Sequence, residues 1–516
     1  MKKRLPLLLL LGLAGYGALL VLLVLAERQT DQAGIRTLGD ALWYSLVTLT
    51  TVGYGDLYPV SPLGRVIGLL FVLLSLGVLA GILGTLLTFV RERLLPRLRV
   101  GKLRRHSCCL FSEMNACALA LAQNLLREDP RKYIVFCRIE GQEKVPFASR
   151  RVFCFSEDIT VIAPRVAQKD TSIFLMSEDI SENYAAAKAL QGLPGVNCCR
   201  APETEALPGV RFFDLQACAA RVYWQTHPLE RTEKTVLLIG QGSLAQALLE
   251  QAVLSNGRAP FAYTAYHLFG DWSQYQLDHP ALEQIFAREA EENRDALIFH
   301  QAPSNADPAL LEAADRLVFC GDDTAQNLAD ALRLLRCFPV TGKIYAAAPA
   351  SPAPIISFGS LEDICTRDMI VGGALDRRAR VLHDLYCRMT GEEQPWEALS
   401  SFLKASNRAS ADHLLTKIRL LLPERDVCEI TPEICREAAK RWQAADKESF
   451  RRCEHDRWMR FYALYNWRWG AEKDSARRIH PCFVPYEQLT QQDREKDDNA
   501  WRQIGLLGEK EGWKME

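Results

Sequence analysis

The sequence predicts three architectures in series: an α-helical part that crosses a membrane twice, an α/β part of two similar lobes, and a small, mainly α-helical end. Three observations predict this. Apolar runs long enough for a bilayer stand in the first fifth of the chain, at Leu5 to Ala26 and Gly64 to Val90. From residue 106, short apolar strands alternate with helical stretches, twice over. After residue 385 the composition shifts to charged helices with many tryptophans. The expected divisions are residues 1–95, 96–230, 231–390 and 391–516.

The totals bound the function classes. A chain of 516 residues holds roughly three or four domains. Lys and Arg number 62 against 63 Asp and Glu, a net charge of −1, so no nucleic acid partner is expected. The 16 cysteines form no CxxC pair and no zinc spacing. Cys108, Cys137, Cys154 and Cys320 fall within apolar strands, as buried thiols of a reducing cytosol would.

Leu5 to Ala26 is about 22 residues, ~33 Å as a helix. Met1-Lys2-Lys3-Arg4 would also suit a signal peptide, but the apolar run exceeds a usual signal core. Gly39 to Thr50 reads as a short re-entrant helix carrying Trp43 and Tyr44. It ends where Thr48-Leu49-Thr50-Thr51-Val52-Gly53-Tyr54-Gly55-Asp56 begins. Backbone carbonyls of such a loop, contributed by four chains, replace the oxygens that hold K+ in water. Gly53 and Gly55 permit the backbone angles this needs. Thr51, Val52, Gly53, Tyr54 and Gly55 are the expected ion selectivity filter, with Trp43, Tyr44 and Asp56 in support. The second span carries Gly77, Gly81 and Gly84, which suit either a gate hinge or close helix packing. The basic residues Arg91, Arg93, Arg97, Arg99, Lys102, Arg104 and Arg105, with Lys2, Lys3 and Arg4, put both termini in the cytoplasm.

The stretch from Ala41-Leu42-Trp43-Tyr44-Ser45 through Asp56-Leu57-Tyr58-Pro59-Val60 resembles the two-span potassium channels of bacteria. The resemblance implies a homotetramer around one pore, multi-pass in the cell inner membrane. Val47 stands where some members carry glutamate, so a carboxyl pair with Asp56 is not expected.

The two α/β lobes read as Rossmann-like parallel sheets. The first has strands near Ser107–Phe111, Tyr133–Arg138, Val152–Phe155, Thr171–Met176 and Val196–Arg200. The second has strands near Thr235–Ile239, Phe261–Tyr266, Ala296–His300, Arg316–Cys320, Lys343–Ala347 and Ile355–Phe358. Gly240, Gly242 and Ala245 follow a strand and open a helix, the dinucleotide pattern GxGxxG/A. The acidic residue for the ribose is missing: His267 is near its place and Asp271 comes several residues late. The first lobe has Phe111-Ser112-Glu113-Met114-Asn115-Ala116 at the equivalent turn. It lacks glycine, and Glu113 would repel phosphate, so no dinucleotide is expected there. Glu140, Glu157, Asp158, Glu178, Asp179, Asp322 and Asp323 end strands, where carboxylates serve as cation ligands or as helix caps; no metal site is assigned. A pore followed by two such lobes resembles channels with tandem RCK domains, which implies a cytosolic gating ring of eight lobes that pulls on the inner helices.

At the end of the chain come Glu454-His455-Asp456-Arg457-Trp458, then Trp467-Arg468-Trp469-Gly470, then His480-Pro481-Cys482-Phe483-Val484-Pro485-Tyr486-Glu487-Gln488-Leu489. These blocks resemble the ryanodine-receptor repeat (RyR) domain, with Trp469 where tyrosine is usual and Asp498 where arginine often stands. Trp458, Trp467, Trp469, Arg468, His480 and Tyr486 are the ligand candidates, since aromatic faces beside guanidinium groups suit a base with phosphates. The same tryptophans could instead form a core.

The expected function is a potassium-selective channel gated by a small-molecule ligand on its cytosolic domains, a nucleotide-derived messenger being one candidate. No nucleophile, base and orienting group stand together in a motif, so an enzyme is not expected. Alternatives are a membrane-tethered NAD-linked oxidoreductase, resting on the Gly240 turn alone, and a potassium-uptake regulatory subunit, a class that lacks its own filter.

Overall fold

The computed structural model describes residues 5–90, 100–139, 146, 151–199, 207–291 and 294–509, without the side chains of residues 5–13, 75, 78, 79, 82 and 289–291. The basic residues from Arg91 to Arg99, those at Lys2 to Arg4, and Glu140 lie outside the described residues. Two compact units divide after Arg105.

The first unit holds helices α1 (Leu5–Glu27), α2 (Leu38–Leu49) and α3 (Pro62–Phe89). Helix α2 opens on a capping box: Thr37 Oγ1 accepts from Asp40 N–H, and the Asp40 carboxylate accepts from Thr37 N–H at 2.8 Å. Helix α3 opens on the Ser61 cap with Pro62 in its first turn. Glu27 is fully buried and ties the end of α1 to the start of α3. Its carboxylate accepts from Val60 N–H (3.0 Å), Ser61 N–H (2.9 Å) and Ser61 Oγ–H (2.6 Å). A buried charge is costly unless bonded in this way. Leu23, Ile35, Ala41, Ile67 and Phe71 form the core between the helices. Helices α1 and α3 have 23 and 28 residues. Among the described residues, however, no helix is long and apolar enough to cross a membrane. All the side chains left out, except those of residues 289–291, belong to these two helices, so the expected spans are only partly described.

The second unit contains two six-stranded, all-parallel sheets. Strands β1 (Cys108–Phe111), β2 (Tyr133–Phe136), β3 (Val152–Cys154), β4 (Ser172–Leu175), β5 (Val196–Cys199) and β6 (Val210–Phe213) lie in the order β3-β2-β1-β4-β5-β6. Strands β7 (Thr235–Ile239), β8 (Ala265–Phe269), β9 (Ala296–His300), β10 (Arg316–Phe319), β11 (Lys343–Ala347) and β12 (Ile356–Phe358) repeat it as β12-β11-β10-β7-β8-β9. Apolar residues buried on both faces explain the continuous hydrophobic runs. The repeat extends to side chains. Asn183 is 1% exposed; its Oδ1 accepts from Ser177 N–H, and its Nδ2 donates to Ser177 O and Cys199 O. Asn327 is 5% exposed and makes the same three bonds, with Gly321 N–H, Gly321 O and Ala347 O. Each asparagine joins the turn after the fourth strand of its lobe to the next strand.

Two expectations about strands need correction. Strand β8 runs over Ala265–Phe269, not Phe261–Tyr266. Residues 258–264 instead wrap a buried guanidinium: Arg258 donates to Glu230 O, Glu233 O and Thr264 Oγ1. The half-buried edge strand β6 was not expected at all; its pattern does not alternate. The lobes also exchange helices. Helix α5 (Leu215–Thr226), which follows β6, packs on α6 (Ser243–Ser255) of the second lobe, with Trp224 Nε1–H donating to Leu248 O. After β12, the turn Leu361–Ile364 packs back on α4 (Ala116–Glu128), and Asn124 Nδ2 donates to Glu362 O and Cys365 O.

The helical end comprises α8 (Ser401–Asp412), α9 (Leu414–Leu421), α10 (Pro432–Ala444), α11 (Lys447–Leu464) and α12 (Asp498–Glu509), with α7 (Thr324–Cys337) preceding it in the second lobe. Helices α8 and α9 are separated at His413, which is fully buried and donates from Nε2 to Gly257 O at 2.7 Å. Trp442, Phe450 and Trp501 pack ring on ring between α10, α11 and α12.

Candidate functional site

The filter turn hangs from the carbonyl end of α2. Val52 N–H (3.0 Å) and Gly53 N–H (3.3 Å) both donate to Val47 O. Left-handed φ falls on every second residue: Thr51 (57°), Gly53 (59°) and Gly55 (74°). An extended strand points successive carbonyls to opposite sides. A change of handedness at every second residue turns them toward a common side, the disposition needed to line an ion path. Trp43 Nε1–H donates to Asp56 Oδ2 at 2.8 Å, and the Trp43 ring lies parallel to Tyr54 at 6.2 Å. Tyr44 takes a different place. Its ring meets Phe71 edge-on, and its hydroxyl lies against Gly68 of α3, where a Cβ would come within 2.8 Å of it. Val47 is buried. No described atom comes within 4 Å of a Cβ built on Gly77, Gly81 or Gly84. Thr85 Oγ1 and Thr88 Oγ1 donate to Gly81 O and Gly84 O. Such hydroxyl bonds compete with the helix ladder and bend helices.

The glycine turn of the second lobe has the backbone its sequence predicts, with φ of 149° at Gly240 and 97° at Gly242. A Cβ at Gly240 would strike the Cys320–Gly321 peptide. Ala245 is fully buried, which lets α6 approach the sheet. The corrected strand also changes the reading of the second-strand end. His267 lies within β8 opposite Leu237 and Ile298, and its Nδ1 stands 2.8 Å from His300 Nε2. Burial, then the His300 charge, push His267 down to about 4. Asp271 stands two residues past the strand, and its N–H donates to Gln241 Oε1 at 3.0 Å. A carboxylate is therefore near the turn; it is exposed and accepts from Ser273 N–H and Oγ–H. In the first lobe, Glu113 accepts from Asn115 Nδ2–H, and Asn115 Oδ1 caps α4 through Ala118 N–H. Asp158, Asp179 and Asp323 are helix caps. Among the described residues no group of three or more metal-ligating side chains is gathered.

The structure separates the RyR candidates into three groups. Trp458, Trp467 and His480 come together: Trp458 meets His480 at 4.9 Å and Trp467 meets it at 6.2 Å. His480 is pushed down to about 4 by burial, then by Lys473 and Lys496. Tyr486 is buried elsewhere, donating to Glu448 Oε2 with Arg452 and Arg494 over its ring. Arg468 and Trp469 are exposed on a two-residue ribbon paired with Ile479 and His480. Trp467 is only 5% exposed and Trp469 is 61% exposed, so the aromatic residues do not form one open surface. Glu454, His455, Asp456 and Arg457 are all buried. Arg457 holds Glu454 through two bonds, and Lys417 Nζ adds a third contact at 2.8 Å. This arginine binds within the protein.

What the sequence reading missed is a cavity of about 490 Å³ beside Trp467. Phe402 of α8 stacks on Trp467 at 5.4 Å, and Tyr462 meets it edge-on at 4.8 Å. Tyr465, Ser401, Ser475, Lys473 and Arg478 line it too, with Ser400 and Leu403, and none of its lining residues carries a carboxylate. Arg478 Nη1 donates to Tyr465 O at 2.8 Å, which fixes the guanidinium at the edge. Phe402 comes from outside every recognised motif, so no local signal pointed to it. Aromatic rings beside two cations suit a flat, anionic ligand.

Residues 8–92 match the ion channel family, and residues 441–515 match the RyR domain. Over 70 residues the chain is 41% identical to a voltage-gated potassium channel of Aeropyrum pernix, covering 14% of this chain and 23% of that protein. Over 81 residues it is 35% identical to the calcium-gated potassium channel TvoK of Thermoplasma volcanium, covering 16% and 23%. Over 58 residues it is 41% identical to the human potassium voltage-gated channel subfamily A member 6, covering 11% and 10%. The chain thus spans less than a quarter of these relatives. Among solved structures, the GsuK channel bound to ADP aligns over 65% of this chain and 99% of its own, at 14% identity and a TM-score of 0.24. The GsuK channel bound to NAD aligns over 65% and 85%, at 13% identity and the same score. Residues 8–92 thus resemble the ion channel domain of potassium channels, and residues 441–515 resemble the RyR domain.

Proposed function

We propose that this chain is a potassium-selective channel, assembled as a homotetramer in a cell inner membrane and opened or closed by a small molecule bound to its cytosolic part. One observation carries the reading: the TLTTVGYGD turn, within the matched channel domain, alternates left-handed residues at Thr51, Gly53 and Gly55. Four such turns around an axis would offer the rings of carbonyls that K+ requires. The Trp43–Asp56 bond and the Trp43–Tyr54 stack would hold their diameter. Helices α1 and α3, about 35 and 42 Å long at 1.5 Å per residue, would span the bilayer. The glycines at 77, 81 and 84 would serve as the gate hinge. The ligand's seat is the cavity between Phe402, Trp467, Lys473 and Arg478, and its chemistry favours a nucleotide-type messenger.

The purified chain in planar bilayers should pass K+ far better than Na+; equal permeability would end the pore reading. With ADP and NAD as probes, Lys473→Glu and Arg478→Glu together should remove a change in open probability and leave the ion ratio intact. A response that survives both changes would put the ligand elsewhere.

A further inference from the structure

The Rossmann fold of the second lobe implies a dinucleotide whose phosphates rest on the N-terminus of the helix after the glycine turn. The side chains around that turn do not fit one. Helix α6 has Gly242 at its cap and receives no side-chain bond from its own cap residue. The bonds come from Asp322, on the turn after β10, 79 residues away in sequence. Its Oδ2 accepts from Ser243 N–H at 3.3 Å, and its Oδ1 accepts from Leu244 N–H at 3.3 Å and Ser243 Oγ–H at 3.4 Å. The space that the missing Gly242 side chain leaves open is also filled by this carboxylate: Oδ2, Cγ and Oδ1 of Asp322 are the three atoms nearest to a Cβ built there. These are two independent facts, one of hydrogen bonding and one of volume. The neighbouring Asp323 does not share the task, because it caps α7 through Ala325 N–H and Gln326 N–H.

We propose that Asp322 is an internal substitute for the phosphate and sets the ligand specificity of the second lobe by barring phosphate-bearing nucleotides from its glycine turn. A carboxylate at a helix N-terminus is stabilised by the unpaired N–H groups and the helix dipole, as a phosphate would be. A phosphate that approached would have to displace the carboxylate and would then sit beside its charge. The fold keeps the glycines because Gly240 must lie against the Cys320–Gly321 peptide, independently of any ligand.

The test is isothermal titration of the purified full chain with ADP and with NAD, alongside Asp322→Asn, Asp322→Ala and Gly242→Val. In the unaltered chain any binding should be indifferent to Gly242→Val, since it would arise at another site. Asp322→Asn, which keeps the shape and removes the charge, should tighten ADP binding by about tenfold or more through a site that Gly242→Val then abolishes. Hydrogen exchange gives a second readout that does not depend on the Gly242 variant. Amides of 243–248 should lose protection in Asp322→Asn and regain it with ADP, while in the unaltered chain ADP leaves them unchanged. Protection by ADP at 243–248 in the unaltered chain would overturn the proposal. So would folded Asp322→Asn and Asp322→Ala proteins, judged by thermal melts, that gain no binding.

Discussion

The turn after β1 and the turn after β7 occupy the same place in two sheets of the same strand order, and they are built differently. In the first lobe Asn115 caps the helix and holds Glu113, so the turn needs no glycine. In the second lobe two glycines keep left-handed angles, and Asp322 reaches in from another strand to take the helix end. The parts that hold the sheets together differ far less. Asn183 and Asn327 make the same three bonds in the two lobes. A turn at the end of a strand can be rebuilt from several residue sets, whereas a buried backbone group leaves few ways to be satisfied.

The sharpest way to break the comparison is through the arginines. Arg316 in the second lobe is 1% exposed, pairs with Glu233 at 2.7 Å, and donates to His227 O and Pro228 O. Arg316→Met leaves the buried Glu233 carboxylate without its cation, still held by Glu230 N–H, and should cost about 3–5 kcal/mol in chemical denaturation. Next come the asparagines: Asn183→Ala and Asn327→Ala should each cost about 1–3 kcal/mol. They should lower hydrogen-exchange protection equally around β4–β5 and β10–β11. A large difference between them would show that the lobes do not share this support.

Acid should separate the lobes further. His267, with its pKa lowered to about 4, takes up a proton in the unfolded chain near pH 6.5 but in the folded chain only near 4. Its contribution is therefore present above about pH 6.5 and is lost as pH falls from there toward 4. No histidine lies between residues 107 and 226, so the first lobe lacks this term. Hydrogen exchange at pH 7 and pH 4.5 should show β7–β9 loosening more than β1–β3, and His267→Gln should reduce the difference. The smallest effect belongs to Arg138→Met in the first lobe. Its pairs with Asp158 and Glu182 are 42% exposed on the arginine side, so the loss should stay under about 1 kcal/mol. A cost near that of Arg316→Met would erase the contrast between buried and exposed pairs.

Much of this was legible in residue order. Strands β7, β9 and β11 run over the expected residues; β7 and β11 are largely buried, and such a parallel strand is a short continuous apolar run, while β9 is a half-buried edge strand with an apolar run of its own. Strand β8 was misread because Phe261, Ala262 and Tyr263 look like strand, while the buried Arg258 guanidinium curls that segment into a turn. Glu27 carried a faint signal as a lone charge at the end of an apolar run, but its partners at Val60 and Ser61 are not visible from that position. The aromatic cavity was half visible. Trp467, Lys473 and Arg478 lie in recognised blocks, whereas Phe402 arrives from α8 by tertiary packing. Tyr486 looked like a ligand group by type and is bonded inside the protein.

The sequence by itself determined what depends on backbone freedom and local period. This includes the glycines that let Thr51 to Gly55 alternate, the glycine turn at Gly240, and the doubled rhythm of apolar strands. Tertiary structure alone decided what depends on residues far apart in the chain. Trp43 reaches Asp56, Phe402 closes on Trp467, and Asp322 rests on the helix that Gly242 opens. The physical reason is that a side chain's charge or ring acts over a few ångströms of space, and chain folding, not sequence distance, sets which groups share those ångströms.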